Sequence, residues 1–415
     1  MLDNTKIARF IAAKRKHLGL TQADIAQQLK VSFQAVSKWE NGTLPNVEIL
    51  AQLAKLLGTS VDAILAGQEK TGEAFSYRKA GVDIAYTDEL KKEMALYLGS
   101  EDERVLNGLG PFASLYDIST LDVEDPVLVL KSEEPGSKQK LAMVYGYSQS
   151  ICHDMINHLV NDILVMGARP LAVLDTIVCG NAEKETIRAF IKGISESCRE
   201  NGCSLVGGET SIQPEVVEKG TYILTASIAG IVSRQRIIDG SAIREGDVVL
   251  AVASNGLHTN GYTLVRLLME RMPHILSDQI DGQPFIQQIM KPHTPYFKAL
   301  QALPRDIRVH GMAHITGGGI AGNLIRILPQ GLQAGIDLDR VETLPIFSYL
   351  KHIGDIEERE MLATFNCGVG LVLVVGRDQV EQIVGCVGRY HAVYPIGEIR
   401  RGERAVDFSG HIHWS

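Results

Sequence analysis

Four side chains stand where acid–base or metal chemistry would want them. Asp162, in Val160-Asn161-Asp162, follows a helix that carries Asp154. Glu209 follows Gly207-Gly208, where the backbone can approach a phosphate closely. His258 lies between Gly256 and Asn260, in a turn that opens a helix. His314 precedes Thr316-Gly317-Gly318-Gly319, whose amides begin a helix and could cradle a phosphate. Each has an ordinary reading too: a carboxylate that caps a helix or loop, or a histidine satisfied in a core. A further loop, Ser132-Glu133-Glu134-Pro135-Gly136-Ser137-Lys138, follows the apolar run Val127–Leu130. It has the outline of a phosphate loop. Yet two carboxylates sit where a phosphate would want bare N–H groups.

Positioning these groups requires a mixed body. Apolar runs with strand character fall at 127–130, 170–178, 222–232, 247–253 and 368–375. Helical stretches fall at 151–166, 184–201, 261–271, 319–328 and 377–388. This predicts a two-part α/β (α+β) body. A weak repeat is visible, each half carrying one Gly-rich loop that leads into a helix.

The first 70 residues differ. They hold nine Lys/Arg and six Asp/Glu, whereas the whole chain holds 41 and 49 for a net charge of -8. A small basic head on an acidic body points to nucleic acid at the head alone. Residues 5–67 read as five short helices, an all-α head. Thr21 caps the second, Ser32 the third, Asn46 the fourth and Ser60 the fifth. The expected domains are 1–68 (head), 69–76 (a polar, Gly-containing linker), 77–235 and 236–415.

With 415 residues the chain can bury large cores, and its 45% hydrophobic and 22% charged content is ordinarily globular. No apolar run reaches the roughly 20 residues of a membrane span. The N-terminus puts charges inside its apolar pattern, unlike a signal peptide. Six scattered cysteines without a C-x-x-C predict reduced thiols, no structural zinc and a cytoplasmic location.

The segment TQADIAQQLKVSFQAVSKWENG, with LPNVEILAQLAKLLGTSVDAIL after it, resembles the Cro and phage-repressor helix-turn-helix family. The second helix of that motif can lie in the major groove. Its outward residues would be Phe33, Gln34, Ser37 and Lys38, with Asn41 at its end. Gln34 and Lys38 are placed to read base edges or a phosphate, and Gln22 to bond a phosphate. A homodimer on two half-sites of a double-stranded operator is expected.

From about Ser76 to Ile399 the body resembles aminoimidazole ribonucleotide synthetase, the phosphoribosylformylglycinamidine cyclo-ligase of purine synthesis. YRKAGVDI, VNDILVMGARPLAVLD, GCSLVGGETS, SNGLHTNGYTLVR, AHITGGGIAGNLIRILP and TFNCGVGLVLVV carry the likeness in order. It implies a dimer built on the first half, and a reaction in which ATP activates a formyl-amide oxygen before an amine closes the ring. Mg²⁺ would neutralise the transferring phosphoryl charge. It also implies catalytic roles or ligand contacts for Asp162, Glu209, His258 and His314, and metal binding by Glu133 and Asp162. Nucleotide contacts would fall at Ser132, Glu133, Gly136, Ser137, Lys138, Asp154, Gly207, Gly208, Thr316, Gly317, Gly318 and Gly319.

The departures from the family cluster on the ATP side. Where it has T-D-G-V-G-T-K, this chain has SEEPGSK, which replaces a Gly with Glu134 and removes a donor at Pro135. A G-G-F-G-A loop reads Gly110-Pro111-Phe112-Ala113-Ser114, a D-A-G-N stretch reads Ala85-Tyr86-Thr87-Asp88, and a lysine falls on Ala95. A P-T-R stretch reads Pro292-His293-Thr294. The sequence therefore reads as a DNA-binding regulator whose body senses a purine-pathway ribonucleotide or related nucleotide. ATP and Mg²⁺ enter only if the body is still an active cyclo-ligase, or acts on another substrate of its superfamily, which includes selenophosphate synthetase and thiamine-monophosphate kinase.

Overall fold

The computed structural model describes residues 2–69, 84–98, 102–108 and 112–414. The expected linker beyond Glu69, the stretch 77–83, and Gly110 and Pro111 lie outside these. The chain divides into two units, Met1–Ala80 and Gly81–Ser415.

The head is five helices: α1 (Asn4–His17), α2 (Gln22–Leu29), α3 (Phe33–Glu40), α4 (Val47–Leu56) and α5 (Val61–Ala66). Short polar side chains start each of them. Thr21 and Asp24 form a reciprocal capping box at α2. Ser32, Asn46 and Ser60 accept the backbone N–H of Ala35, Ile49 and Ala63. α2 ends on Lys30 in the left-handed region, which allows the tight turn into α3. Ile7, Ile11, Ile25, Val36, Trp39, Leu53 and Ile64 form the core between the helices.

The body opens with α6 (Ile84–Met94). Its first sheet is built from β1 (Pro126–Glu133), β2 (Arg169–Cys179), β3 (Ser204–Ile212) and β4 (Tyr222–Ser233) in the order β1-β4-β2-β3. Only β2 and β3 run parallel. α7 (Lys138–Tyr145) follows β1, and α8 (Ser150–Leu164) and α9 (Lys184–Glu200) supply the helical layer. β1 alternates in burial: Val127, Val129, Lys131 and Glu133 are half-buried, while Leu128, Leu130 and Ser132 are exposed. Leu128, Leu130, Leu174 and Ile223 leave apolar surface on this sheet, at 56%, 72%, 47% and 39% exposure.

The second half contains β5 (Val248–Ala253), α10 (Tyr262–Arg271), the short pair β6 (Gln279–Ile280) and β7 (Gln283–Pro284), α11 (Phe285–Ile289) and α12 (Phe297–Gln301). It continues with β8 (Val309–His314), α13 (Gly319–Leu324), β9 (Leu332–Asp337), α14 (Pro345–Ile353) and α15 (Glu358–Thr364). It closes with β10 (Val369–Val375), α16 (Val380–Val387), β11 (Val393–Arg401) and β12 (Val406–Ser409). Its sheet has the order β12-β9-β11-β5-β10-β8. β10 is buried at every position, as a central strand packed on both faces must be. One hydrophobic cluster runs from Met155, Leu159 and Val173 to Val249, Ile315 and Val372, so the two halves of the body share a core.

Two local expectations change. Asp162 lies inside α8 rather than after it. The Gly207-Gly208-Glu209 stretch, read as a close backbone approach to a phosphate, is part of strand β3, paired to β2. Its glycines serve packing: a Cβ on Gly208 would lie 2.0 Å from Asp175 Oδ1. All six cysteines are free. Among the described residues no helix is long and apolar enough to cross a membrane.

Candidate functional site

The site forms where the end of β1 meets α8 and three loops of the second half. α8 carries Asp154, His158 and Asp162 at intervals of four, which puts all three on one face. Lys131 and Glu133 project from β1 on its half-buried side. His258, His293 and His314 enter from the segments after β5, before α12 and at the end of β8.

The polar groups interlock. His314 Nδ1 is 2.7 Å from Asp162 Oδ1, and His314 Nε2 is 2.8 Å from His293 Nε2. His293 stacks on His258 with ring centroids 3.9 Å apart, and lies 5.2 Å from the ring of His158. His258 Nε2 is 2.9 Å from Thr294 Oγ1, and His158 Nδ1 is 3.1 Å from Thr259 Oγ1. His258 holds φ +60°, a conformation that a side chain seldom takes without a functional or packing reason. The Nδ1 atoms of His258 and His293 are buried without a protein partner.

Beside the histidines, the Lys131 ammonium is 3.0 Å from Glu133 Oε2 and 3.0 Å from Asp162 Oδ2. His158 Nε2 is 3.7 Å from each of those two oxygens. Beneath this layer, Lys138 Nζ donates to Asp154 Oδ1 at 2.8 Å and to the carbonyls of His258 and Lys291.

Charge follows from this geometry. Burial pulls the His158 imidazole down to about 4, and pulls His258 and His293 well below the usual histidine range. These three are neutral near pH 7. Burial alone would raise the Asp162 carboxyl. The hydrogen bond from His314, with a further one from the Lys131 ammonium, overcomes it and holds Asp162 well below the ordinary carboxylate range. Burial works against the Lys131 ammonium, but Asp162 and Glu133 raise it overall, so it stays charged. The arrangement offers a chain of imidazoles, His293 to His314, ending on Asp162, which shares one lysine with Glu133.

The residues expected at the site divide. Asp162, His258, His314 and Glu133 come together, and Asp154 lies one layer below. Lys138 is fully buried and its ammonium is committed to Asp154 and two carbonyls, so it supports α7 rather than facing a phosphate. Ser132 points to the other side of β1, within 2.9 Å of Ser227 Oγ. Gly136 turns at φ +63° into Ser137, which makes no side-chain cap. The Glu134 amide is bonded to Glu133 Oε1 at 3.1 Å, and Pro135 is buried. Glu209 is exposed on β3, and its charge is felt by Asp175 rather than by the histidines. Gly207 packs on Ser114, where a Cβ would meet Oγ at 2.7 Å. In Thr316–Gly319, the Gly319 amide donates to the Thr316 carbonyl, and Asn323 ties down the carbonyls of Thr316, Gly317 and Gly319. Gly318 adopts φ +91° to begin α13.

Three site residues were missed: Lys131, His158 and His293. Two had a readable signal. His158 is four residues from both Asp154 and Asp162, and Lys131 alternates with Glu133 on one strand face.

On the head, Phe33, Gln34 and Lys38 are exposed along α3, and Ser37 is half-buried. Asn41 donates to the Ser37 carbonyl at 2.8 Å and closes the helix. Gln22 is engaged: its amide donates to Glu40 Oε2 at 2.7 Å, beside the Arg15–Glu40 ion pair.

Comparison with known proteins gives the same division. The Helix-turn-helix family model matches residues 11–64. The models "AIR synthase related protein, N-terminal domain" and "AIR synthase related protein, C-terminal domain" match residues 120–232 and 244–408. A phosphoribosylformylglycinamidine cyclo-ligase of Bacillus cytotoxicus is 39% identical over 344 residues, covering 82% of this chain and 99% of that protein. One of Methylobacillus flagellatus is 40% identical over 331 residues, covering 79% and 95%. E. coli HypE shares the fold, with a TM-score of 0.58 at 17% identity over 78% of this chain and 94% of that one. So does a thiamine-monophosphate kinase from Stenotrophomonas maltophilia, at 0.55 and 19%, over 80% and 97%.

Proposed function

Since the chain belongs to the phosphoribosylformylglycinamidine cyclo-ligase family and carries a helix-turn-helix domain ahead of that body, we propose that it is a DNA-binding regulator whose body binds a purine-pathway ribonucleotide or related nucleotide without cyclising it. One observation carries this reading. The loop that follows β1 offers an incoming triphosphate two carboxylates and few donors. Its Glu134 amide is taken by Glu133, Pro135 has no N–H, and Lys138 is buried against Asp154.

Mg²⁺, which the family reaction implies, does not fit Glu133 and Asp162 as they stand, because the Lys131 ammonium holds both carboxylates. No chemical step is derived through it. The histidine cluster supports a polar ligand instead, with two buried Nδ1 atoms in need of partners.

The regulator would be a cytoplasmic homodimer on a palindromic operator. The exposed leucines of the first sheet support pairing through the body, and the exposed polar face of α3 supports major-groove reading. Ligand binding would act on DNA only by favouring one of two dimer states. A second reading has its own support: identity near 40% across almost the whole of curated cyclo-ligases favours a retained ATP-dependent ligase with an added DNA-binding head.

Calorimetry of the full chain separates the two. The regulator binds formylglycinamidine or aminoimidazole ribonucleotide without ATP and shows no turnover with ATP and Mg²⁺. Formation of aminoimidazole ribonucleotide, lost in Asp162→Asn, would establish the ligase instead.

A further inference from the structure

We propose that Lys131 is a built-in cation, occupying the position between Glu133 and Asp162 where a divalent ion would otherwise sit, and that it excludes such an ion from this chain. Its ammonium lies 3.0 Å from one oxygen of each carboxylate. A magnesium ion bridging the same two oxygens would need both at about 2.0–2.1 Å. It would have to take the place the nitrogen holds.

The surroundings favour the lysine. Lys131 and Glu133 are two residues apart on one strand, so they share a face whatever else binds. Asp162 is fixed from the other side, since its second oxygen meets His314 Nδ1 at 2.7 Å. A tethered ammonium has an effective concentration far above that of a free ion in solution. The ammonium is also nearer to both acids than His158, whose Nε2 lies 3.7 Å from each. An ammonium also differs from a metal in kind. It cannot bind a phosphate oxygen and two carboxylates in a fixed octahedron, but it donates three hydrogen bonds, two of them already directed at the acids. A phosphorylated ligand at this site would therefore be held without metal. The inference goes beyond the regulator reading, since it concerns the metal rather than the ligand or the DNA.

The test is Mn²⁺ binding to the full chain, followed by the paramagnetic resonance signal of the free ion. Wild type and Lys131→Arg should leave Mn²⁺ free up to millimolar concentration. Lys131→Met and Lys131→Gln, made side by side so that a misfolded variant does not end the test, should bind at least tenfold more tightly than wild type. Adding Asp162→Asn to either should abolish the gain. The proposal is overturned if wild type binds Mn²⁺ within tenfold of the neutral variants, if those variants gain nothing, or if the gain survives Asp162→Asn.

Discussion

The Lys138 ammonium donates to Asp154 at 2.8 Å with neither side chain exposed to solvent. The pair joins α7 to α8, and two further carbonyls, of His258 and Lys291, complete the ammonium's bonds across the two halves of the body. Burial drives both partners toward neutrality. It pulls the lysine down and pushes Asp154 up to about 6, against the opposing effect of Lys138. Such a pair adds little net stability, but breaking it strands a buried charge. Lys138→Met should therefore lower the body's stability by about 3–5 kcal/mol, read from its urea-unfolding midpoint. Adding Asp154→Leu should recover much of the loss. A Lys138→Met midpoint equal to wild type would contradict this account.

Salt dependence tests the head. Lys38 is exposed near the end of α3, and Lys38→Ala removes one candidate phosphate or base contact. The variant should bind operator DNA more weakly. If the contact is to phosphate, the slope of log affinity against log salt should fall by about one unit. If it is to a base edge, the slope should hold while discrimination at one position relaxes. Unchanged affinity and unchanged specificity would remove Lys38 from the interface.

Asp175 gives a pH signature. It is 3% exposed on β2, and burial, with a smaller push from Glu209, raises its carboxyl to about 7. The unfolded carboxyl titrates near 4. The folded chain therefore holds an extra proton between those values. This contribution is complete below about pH 4 and is lost as pH rises through about 7. Relative to Asp175→Asn, wild type should lose stability by roughly 1.4 kcal/mol per pH unit between pH 5 and 7. The comparison must be a difference between the two proteins. His158, His258 and His293, buried neutral, pull the other way and lower stability as pH falls below about 6.5.

Two glycines of one helix should respond with opposite signs. Gly319 has φ +61°, and a Cβ there would lie 1.8 Å from the Leu362 carbonyl oxygen. Nothing lies within 4 Å of a Cβ on Gly322. Gly319→Ala should destabilise the body by more than about 1 kcal/mol, whereas Gly322→Ala should be neutral or stabilise by up to about 1 kcal/mol. Thermal unfolding of the two variants checks both.

The head was legible almost residue by residue, because short polar caps such as Thr21, Ser32, Asn46 and Ser60 mark helix starts chemically. The strands with continuous apolar runs were legible for the same kind of reason. Others were not. β3 is glycine-rich and polar, because its glycines make room for Asp175 and Ser114, so its composition imitates a loop. β8, β9, β11 and β12 lack long apolar runs, and their pairing in the sheet supplies what their sequence does not signal. At the site, residue types revealed Asp162, His258 and His314. The meeting of His158 and Asp162 with Thr259 and His314 depends on packing between segments more than a hundred residues apart, which no local spacing encodes. Lys138 misled for a physical reason: a lysine just after a glycine turn looks the same whether it reaches out to an anion or inward to an aspartate.

That inward lysine bears on how such chains diverge. A residue inherited from a nucleotide loop can be retained by selection on folding alone, once its removal would strand a charge in the core. Exposed Glu134 can be replaced without stranding a charge, whereas Lys138 and Asp154 can be replaced without that penalty only together. A lysine at this position therefore reports on the fold of the body, whether or not the chain that carries it is catalytic.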